Sequence, residues 1–471
     1  MTNILFPKII YSLFLIFFGY FIILTAFYLF FAIIGFIEKK KREFEGESED
    51  YPLLYFSTAT SSISIIIPSR NEELWIRDAL LSVVKQNYPK FEVIIVDDGS
   101  TDKTSAILND FLDLKPVDIP YIKHYKDGGV QRILRSVKFP FVTVISKIAG
   151  AKKAGALNAG LNIAKNEYVC IMDADTVLEQ NALLKVMAHV ERDPQRIIGI
   201  GSYFGLSNGL VIKDGSIFKN SFSYKPIIAY QNLEYIRSFI GLRVGWSKFN
   251  SMPNIAGGFG LWRKDVLYDL GGFSSDFTCE DIELTFRAHD YIEKNKGKGY
   301  RILMLPYYVG WTEGPDNIGS LIMQRNRWQR VTNETVWKYK YMFFNPKYGA
   351  FGFLTLPYYL LYEVLGVFME IASIALVTMG WLLHILDVKV FLAFFCLMIL
   401  TQTFSSLVSV FAFVRGKRIF QFNYILYMMV LSFFEFFWYR WIISISKLSG
   451  MCSYARGIKA YDQYARAKRT K

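Results

Sequence analysis

Four short stretches of the chain carry polar side chains in patterns that suit work on a phosphate-bearing ligand. The segment EYVCIMDADTVLE sets Asp173 and Asp175 one residue apart at the end of an apolar run. Two carboxylates so spaced at a strand end can share a divalent cation, because Mg²⁺ or Mn²⁺ needs only one or two such ligands when phosphate oxygens supply others. Solvated acids at a capped strand end give the same pattern. Upstream, Asp97 and Asp98 open DDGS, which is either a polar loop facing a ligand or an ordinary Asp-Gly turn. In FTCEDIELTFRAHD, Glu280 and Asp281 precede an amphipathic pattern. A carboxylate there can take a proton from an attacking hydroxyl, or can cap the helix that follows. Finally, QRNRWQR places Gln324, Arg327 and Trp328 on one helical stretch. A guanidinium there can bind phosphate and an indole can stack on a ring face, although a membrane-surface belt of Arg and Trp uses the same residues.

Around these groups the pattern alternates between strand and helix. SISIIIPSRNEE opens with a β-branched strand over 63–67, stopped by Pro68, and Leu74, Ala79, Leu81 and Val84 fit a helix after it. A second strand over 93–96 runs straight into Asp97. This order predicts a βαβ unit, whose ligands bind outside the carboxyl ends of the strands. KKAGALNAGLNIA predicts a small-residue helix whose Lys153 and Asn158 reach a phosphate, or else a close-packed helix with a solvated lysine. Gly257, Gly258 and Gly260 would let a ligand approach the backbone. No chemistry is assigned to residues 200–254, where Tyr230, Tyr235, Phe239 and Trp246 fit a small core as well as sugar stacking.

With 52% of its 471 residues hydrophobic, the chain is too apolar for an ordinary soluble enzyme. Residues 9–37 are almost wholly apolar, a run of about 29 where roughly 20 span a bilayer, and too long for a cleavable signal. Lys39, Lys40, Lys41 and Arg42 follow, a positive flank that predicts the cytoplasmic side for residues 51–344. Apolar stretches at 351–383, 390–414 and 419–446 predict three further spans. Glu363 and Glu370 share a face of the first, and carboxylates at that depth face protein or water unless Glu363 sits on an interfacial turn. Four simple spans would put the tail outside, yet its basic residues 447–471 predict the inside. One segment is then re-entrant or interfacial, and the last, with Glu435 and Arg440, is the first choice. The net charge of +13 clusters beside apolar runs, at 39–42, 415–418 and 456–471, which reads as membrane-surface charge and not nucleic-acid binding. Cys170, Cys279, Cys396 and Cys452 have no close spacing, so neither a disulfide framework nor a zinc site is expected, in keeping with a reducing cytosol.

In order, DDGS, DAD, CED and QRNRW resemble the motif series of the family-2 glycosyltransferases, specifically the membrane-embedded branch of cellulose, chitin, hyaluronan and poly-N-acetylglucosamine synthases. The resemblance covers roughly residues 64–330 and extends to the flanking spans. It implies an α/β, GT-A-like and Rossmann-related catalytic domain in the cytosol, joined to an α-helical transmembrane region. The divisions would be 1–50 (first span and basic flank), 51–344 (catalytic domain), 345–446 (about three spans) and 447–471 (basic tail). By the same resemblance, Asp97 or Asp98 lies near the nucleoside, Asp173 and Asp175 bind diphosphate and Mg²⁺ or Mn²⁺, and Asp281 is the general base with Glu280 next in line. Gln324 and Arg327 would hold the diphosphate, and Trp328 the acceptor sugar; Lys153, read from its own helix position, is added to the donor-binding set. The implied activity is inverting transfer from a nucleotide-sugar, a UDP-sugar first, to a growing β-linked polysaccharide at the cytoplasmic face of the cell membrane. Transfer of a single sugar to a lipid or lipid-linked acceptor is the alternative, since about four spans is few for a polymer pore. The partners implied are donor, acceptor, membrane lipid, and an accessory subunit or second copy of the chain. A silent binding protein would have no need of Asp173, Asp175, Asp281 and Arg327 together.

Overall fold

The computed structural model describes residues 2–150, 152–219, 221–414 and 420–458. Its strands are β1 (Ile63–Ser69), β2 (Phe91–Asp97), β3 (Leu114–Pro116), β4 (Val130–Ser136), β5 (Val142–Lys147), β6 (Tyr168–Met172), β7 (Val177–Leu178), β8 (Ile197–Leu206), β9 (Val211–Lys213), β10 (Ser216–Lys219), β11 (Phe259–Arg263) and β12 (Arg301–Thr312). Apart from the β9–β10 hairpin they form one sheet, ordered β3-β4-β5-β2-β1-β6-β11-β8-β12-β7. Strands β5, β2, β1 and β6 run parallel, while β11 is antiparallel to both β6 and β8. Burial on both faces explains why β6 reads as an unbroken apolar run and β1 as one interrupted only by Ser64 before Pro68. Because β2 and β6 flank β1 in parallel, DDGS and DAD emerge at the same edge of the sheet.

Pro68 does not stop β1, which continues to Ser69. Pairing to β6 ends at Ile66, whereas pairing to β2 continues to Ser69. Pro68 therefore lies where the strand has one bonded neighbour, and a missing N–H is tolerated there.

Residues 226–248, left without a role by their composition, form a continuous helical segment between the sheet and the long apolar helices. It consists of Pro226–Tyr235, a π-wound stretch Ile236–Arg243, and Val244–Lys248. Small residues let it cross the N-terminal helix Thr2–Glu47 at backbone contact: a Cβ on Gly35 would lie 2.7 Å from the Gly241 carbonyl, and one on Gly245 2.7 Å from that of Phe31. Trp246 stacks on Phe31 at 4.0 Å between ring centres. Tyr230, Tyr235, Phe239 and Trp246 are all buried, and the last three also border the cavity described below.

Among the described residues, two helices are long and apolar enough to cross a membrane, or up to four if each of two bent pairs counts as one span. The N-terminal helix and Val388–Val414 are unbroken. Of the apolar stretches on either side of the latter, the first is expected as a simple span and the last as the re-entrant or interfacial one; both are bent pairs, Phe351–Val364 with Gly366–Leu382 at 50° and Phe422–Phe437 with Tyr439–Ala455 at 55°. Both arms of the second pair touch the catalytic domain. On one, the Tyr424 hydroxyl accepts from Asn232 Nδ2 at 3.0 Å and that of Tyr427 donates to the Tyr224 carbonyl at 2.8 Å; on the other, Asn326 donates to Ser449 and Ser453. Ion pairs hold the bundle where it bends, Arg237 with Glu435 at 2.6 Å, Arg440 with Glu370, and Lys447 with Glu363 at 2.8 Å. The basic cluster Arg415, Lys417 and Arg418 and the tail after Ile458 lie outside the described residues.

Two histidines are buried in the catalytic domain. His289 bonds the Met252 carbonyl at 2.8 Å and His189 meets the Tyr307 hydroxyl at 2.9 Å. Burial lowers His289 to about 4; burial, with Arg42 and Arg192 nearby, lowers His189 to about 3. The unfolded chain therefore takes up protons near pH 6.5 that the folded chain refuses, so stability falls as pH drops below about 6.5 towards 4. Each histidine should cost roughly 2 to 3 kcal/mol by about pH 4.5. In detergent, the apparent melting temperature of His289→Gln should fall less steeply over this range than that of the wild type; parallel curves would refute the assignment.

Candidate active site

The carboxyl ends of β2 and β6 open onto a cavity of about 1210 Å³. Of the two DDGS carboxylates, only Asp98 lines it. Asp97 ends β2 and turns into its own loop, accepting bonds from the Ser100 N–H at 3.0 Å, the Ser100 hydroxyl at 2.6 Å and the Ser105 hydroxyl. Gly99 allows this turn at φ +68°, and a Cβ there would lie 2.7 Å from the Ala149 nitrogen. The turn reading thus describes Asp97, while Asp98 is buried against Lys147 at 2.6 Å.

Lys153 stands in the first turn of the helix Lys152–Ile163, with its Nζ 2.6 Å from Asp173 and 2.9 Å from Glu280. A Cβ on Gly257 would come within 2.8 Å of that Nζ, so this glycine serves the close approach of an ammonium. Gly260 instead packs on Ile255. Asp173, half-open to the cavity, has its pKa raised by burial and by Asp175 and Glu280, against the pull of Lys153. Asp175 accepts from the Thr312 hydroxyl at 3.0 Å. Asn158 is absent from the cavity wall; its side chain bonds the backbone of Lys126 and Phe273, fastening two loops.

Both Glu280 and Asp281 line the cavity, but Glu280 is buried in an ion pair with Lys153, which leaves Asp281 as the carboxylate of the two without a cation partner at salt-bridge distance among the described residues. Asp281 is the first residue of the helix Asp281–Lys294, and Glu280 before it makes no side-chain capping bond. The Asp281 carboxylate accepts from the Ile282 N–H at 2.9 Å and the Gly257 N–H at 3.3 Å, which aims it across the glycine turn. The helix Ile318–Lys338, capped by Asn317, brings Gln324, Arg327 and Trp328 to the same cavity. Arg325 covers one face of the Trp328 indole at 4.3 Å and is itself held by Glu234 at 2.5 Å, to which Tyr439 also donates at 2.9 Å. Sequence reasoning missed both. Arg325 was visible inside QRNRW, but Glu234 sits in a stretch with no recognisable pattern.

Two family models match the chain, Glycosyl transferase family 2 over residues 64–270 and Glycosyl transferase family group 2 over residues 168–439, the second alone covering more than half of it. The chain belongs to the family-2 glycosyltransferases. The probable glycosyltransferase YdaM of Bacillus subtilis is 28% identical to this glycosyltransferase over 290 residues, 60% of this chain and 58% of that one. A poly-β-1,6-N-acetyl-D-glucosamine synthase of Staphylococcus epidermidis is 29% identical over 275 residues, 58% of this chain and 55% of that one. The match therefore spans little more than half the length of these relatives. The mannosyltransferase PcManGT from Pyrobaculum calidifontis, solved with GDP-Man and Mn²⁺, has the same fold at a TM-score of 0.52 and 18% identity, over 82% of this chain and 100% of that one. The expected GT-A-like α/β fold is thereby borne out.

Beyond Asp281 and Trp328 the cavity of this glycosyltransferase continues between the apolar helices, where Glu370, Gln402, Glu435 and Arg440 line it. Among the described residues, no group of three or more His, Cys, Asp or Glu side chains is placed to hold a metal ion alone. Asp173 and Asp175 nevertheless suit a cation whose remaining ligands are phosphate oxygens, for their crowded negative charge already draws in Lys153. A more local consequence follows from the buried Asp98–Lys147 pair. Asp98→Ala strands the Lys147 ammonium and should cost roughly 3 to 5 kcal/mol. Adding Lys147→Met should recover much of the lost melting temperature, and a double variant no more stable than the single one would remove the pair from the architecture.

Proposed function

We propose that this enzyme transfers sugar from a nucleotide-sugar, a UDP-sugar first, to a growing β-linked polysaccharide with inversion. The observation that carries this reading is the continuity of the cavity from the Asp173–Asp175 carboxylates, past Asp281 and Trp328, to polar groups inside the helix bundle. In this reading Asp98 borders the nucleoside, and Lys153, Gln324 and Arg327 hold the diphosphate. Mg²⁺ or Mn²⁺ held by Asp173 and Asp175 would supply positive charge to the departing diphosphate. Trp328, braced by Arg325, offers its other face to the acceptor sugar. Asp281 takes the proton as the acceptor hydroxyl attacks the anomeric carbon and the bond to the diphosphate oxygen breaks, a single displacement that inverts the centre. Single transfer to a lipid-linked acceptor is the second reading, favoured by Phe21, Leu24, Leu397 and Met398 on the cavity wall, which could take an apolar tail.

The same reading places the catalytic domain on the cytoplasmic face of a cell membrane. Support comes from the basic flank after the first span and from the last bent pair. Its helices of 13 and 17 residues rise only about 20 to 25 Å each, short of the roughly 30 Å hydrocarbon core. Both return to the catalytic domain, as a re-entrant hairpin does. Three crossings then put the tail on the catalytic side, which reconciles its basic charge with the number of apolar segments.

Purified enzyme in lipid, supplied with a panel of labelled UDP-sugars, should yield long product on a gel; a single added sugar would favour the lipid acceptor. Chelation should abolish transfer with either acceptor. Asp281→Asn should slow transfer on the order of 10² to 10⁴ while UDP affinity stays within a few-fold. Near-normal turnover would remove Asp281 from the mechanism. For topology, cysteines placed at Asp110 and at Gly457 should both resist an impermeant thiol reagent in intact cells, and labelling of the second alone would make the last pair a true span.

A further inference from the structure

The cations that line the cavity largely have carboxylate partners: Lys153 with Asp173 and Glu280, Arg237 with Glu435, Arg325 with Glu234, Arg440 with Glu370, Lys447 with Glu363. Arg243 differs. It also lines the cavity, yet among the described residues no carboxylate stands within salt-bridge distance, and its Nη1 is buried without a hydrogen-bond partner. Its guanidinium rests on the Phe239 ring at 4.3 Å. Burial disfavours its charged form, with Tyr359 and Asp281 acting in the opposite sense. The side chain as a whole is half-buried at the cavity wall, but its enclosed Nη1 is costly to leave without a partner.

Its position is specific. Arg243 ends the π-wound turn Ile236–Arg243, and π-bulges often mark functional sites. The groups that bear on it most are Tyr359, Asp281, Tyr235 and Glu363, and of these Asp281 is the base assigned above to the acceptor hydroxyl. A neutral hydroxyl would accept a hydrogen bond from Nη1 but would leave the positive charge uncompensated. An oxyanion satisfies both. That anion is not the nucleophile, because a base at Asp281 is needed only when the attacking group carries a proton.

We propose that Arg243 is an acceptor-site residue that pairs with an oxyanion, a carboxylate or phosphate carried by the acceptor close to its attacking hydroxyl. The proposal rests on the placement of Asp281 in the reading above and adds the charge of the acceptor to it. A carboxylate would come from an acidic sugar chain, a phosphate from a lipid-linked sugar phosphate.

The test uses the full chain in lipid nanodiscs with UDP and Mn²⁺ filling the donor site. Binding of methyl β-D-glucuronide, glucose 1-phosphate and methyl β-D-glucoside is followed by ligand-observed NMR. At least one anionic probe should bind about 10- to 100-fold more tightly than the neutral glucoside. Arg243→Gln should erase that ratio, and Arg243→Lys should keep part of it. Preference for the glucuronide points to an acidic chain, and preference for the phosphate to a lipid-linked one. Equal binding of all three probes, or a ratio unchanged in Arg243→Gln, overturns the proposal. UDP affinity is measured on the same samples: its loss in a variant reports misfolding, leaving Arg243→Lys to decide, whereas its absence in the wild type refutes the donor reading and not the role of Arg243.

Discussion

The ammonium of Lys153, set between Asp173 and Glu280, is the contact on which the catalytic cleft depends. Three elements with no sequence proximity meet there: the helix Lys152–Ile163, the loop after β6 and the start of the helix Asp281–Lys294. Asp173, Asp175 and Glu280 crowd negative charge in a partly closed cleft, and without a cation among them the like charges would repel or take up protons. The ammonium supplies the local attraction that lets β6 end on two aspartates, and Gly257 leaves it room. Asp281, freed from that ion pair, is turned towards the cavity.

The rule that charge away from water needs a partner extends into the helix bundle. Arg237–Glu435, Arg440–Glu370 and Lys447–Glu363 each join helices distant in sequence. Pairs wholly or partly withdrawn from water in this way contribute little net stability, since desolvation offsets attraction, but losing one partner leaves an uncompensated charge. They therefore specify which helices meet more than how tightly they hold. They also leave a polar wall where apolar side chains would otherwise have closed the bundle. The close crossing of Gly35 on Gly241 fixes the catalytic domain against the first helix, so that the wall continues from the cleft.

Much of this was legible in the residue order. The strand ends at Asp97 and Asp173, the helix after Glu280, the helix bearing QRNRW and the N-terminal apolar helix all follow from local periodicity. The π-wound segment Ile236–Arg243 was not legible, because its contacts with the first helix and with Val388–Val414 are set by packing of small residues against distant backbone. That the last apolar segment departs from a simple span was legible, but the position of its bend was not, because its two arms have the composition of one span. Glu435 and Arg440 hinted at it, yet only their partners Arg237 and Glu370 show how such charges are accommodated.

By itself the sequence determined which atoms are available: a strand–helix alternation that brings carboxylates to strand ends, a four-motif order belonging to one family, and apolar runs long enough for a bilayer. These are local properties, set by side-chain periodicity and by spacing along the chain. The tertiary structure alone decided how equivalent residues divide their work. Asp97 closes a turn while Asp98 faces the cavity, Glu280 is held by Lys153 while Asp281 is half-buried at the cavity without such a cation, and Arg325 is paired with a carboxylate while Arg243 is not. The reason is that neighbouring residues share composition and spacing but differ in what lies opposite them, and a charge in a low-dielectric site takes its role from its partner.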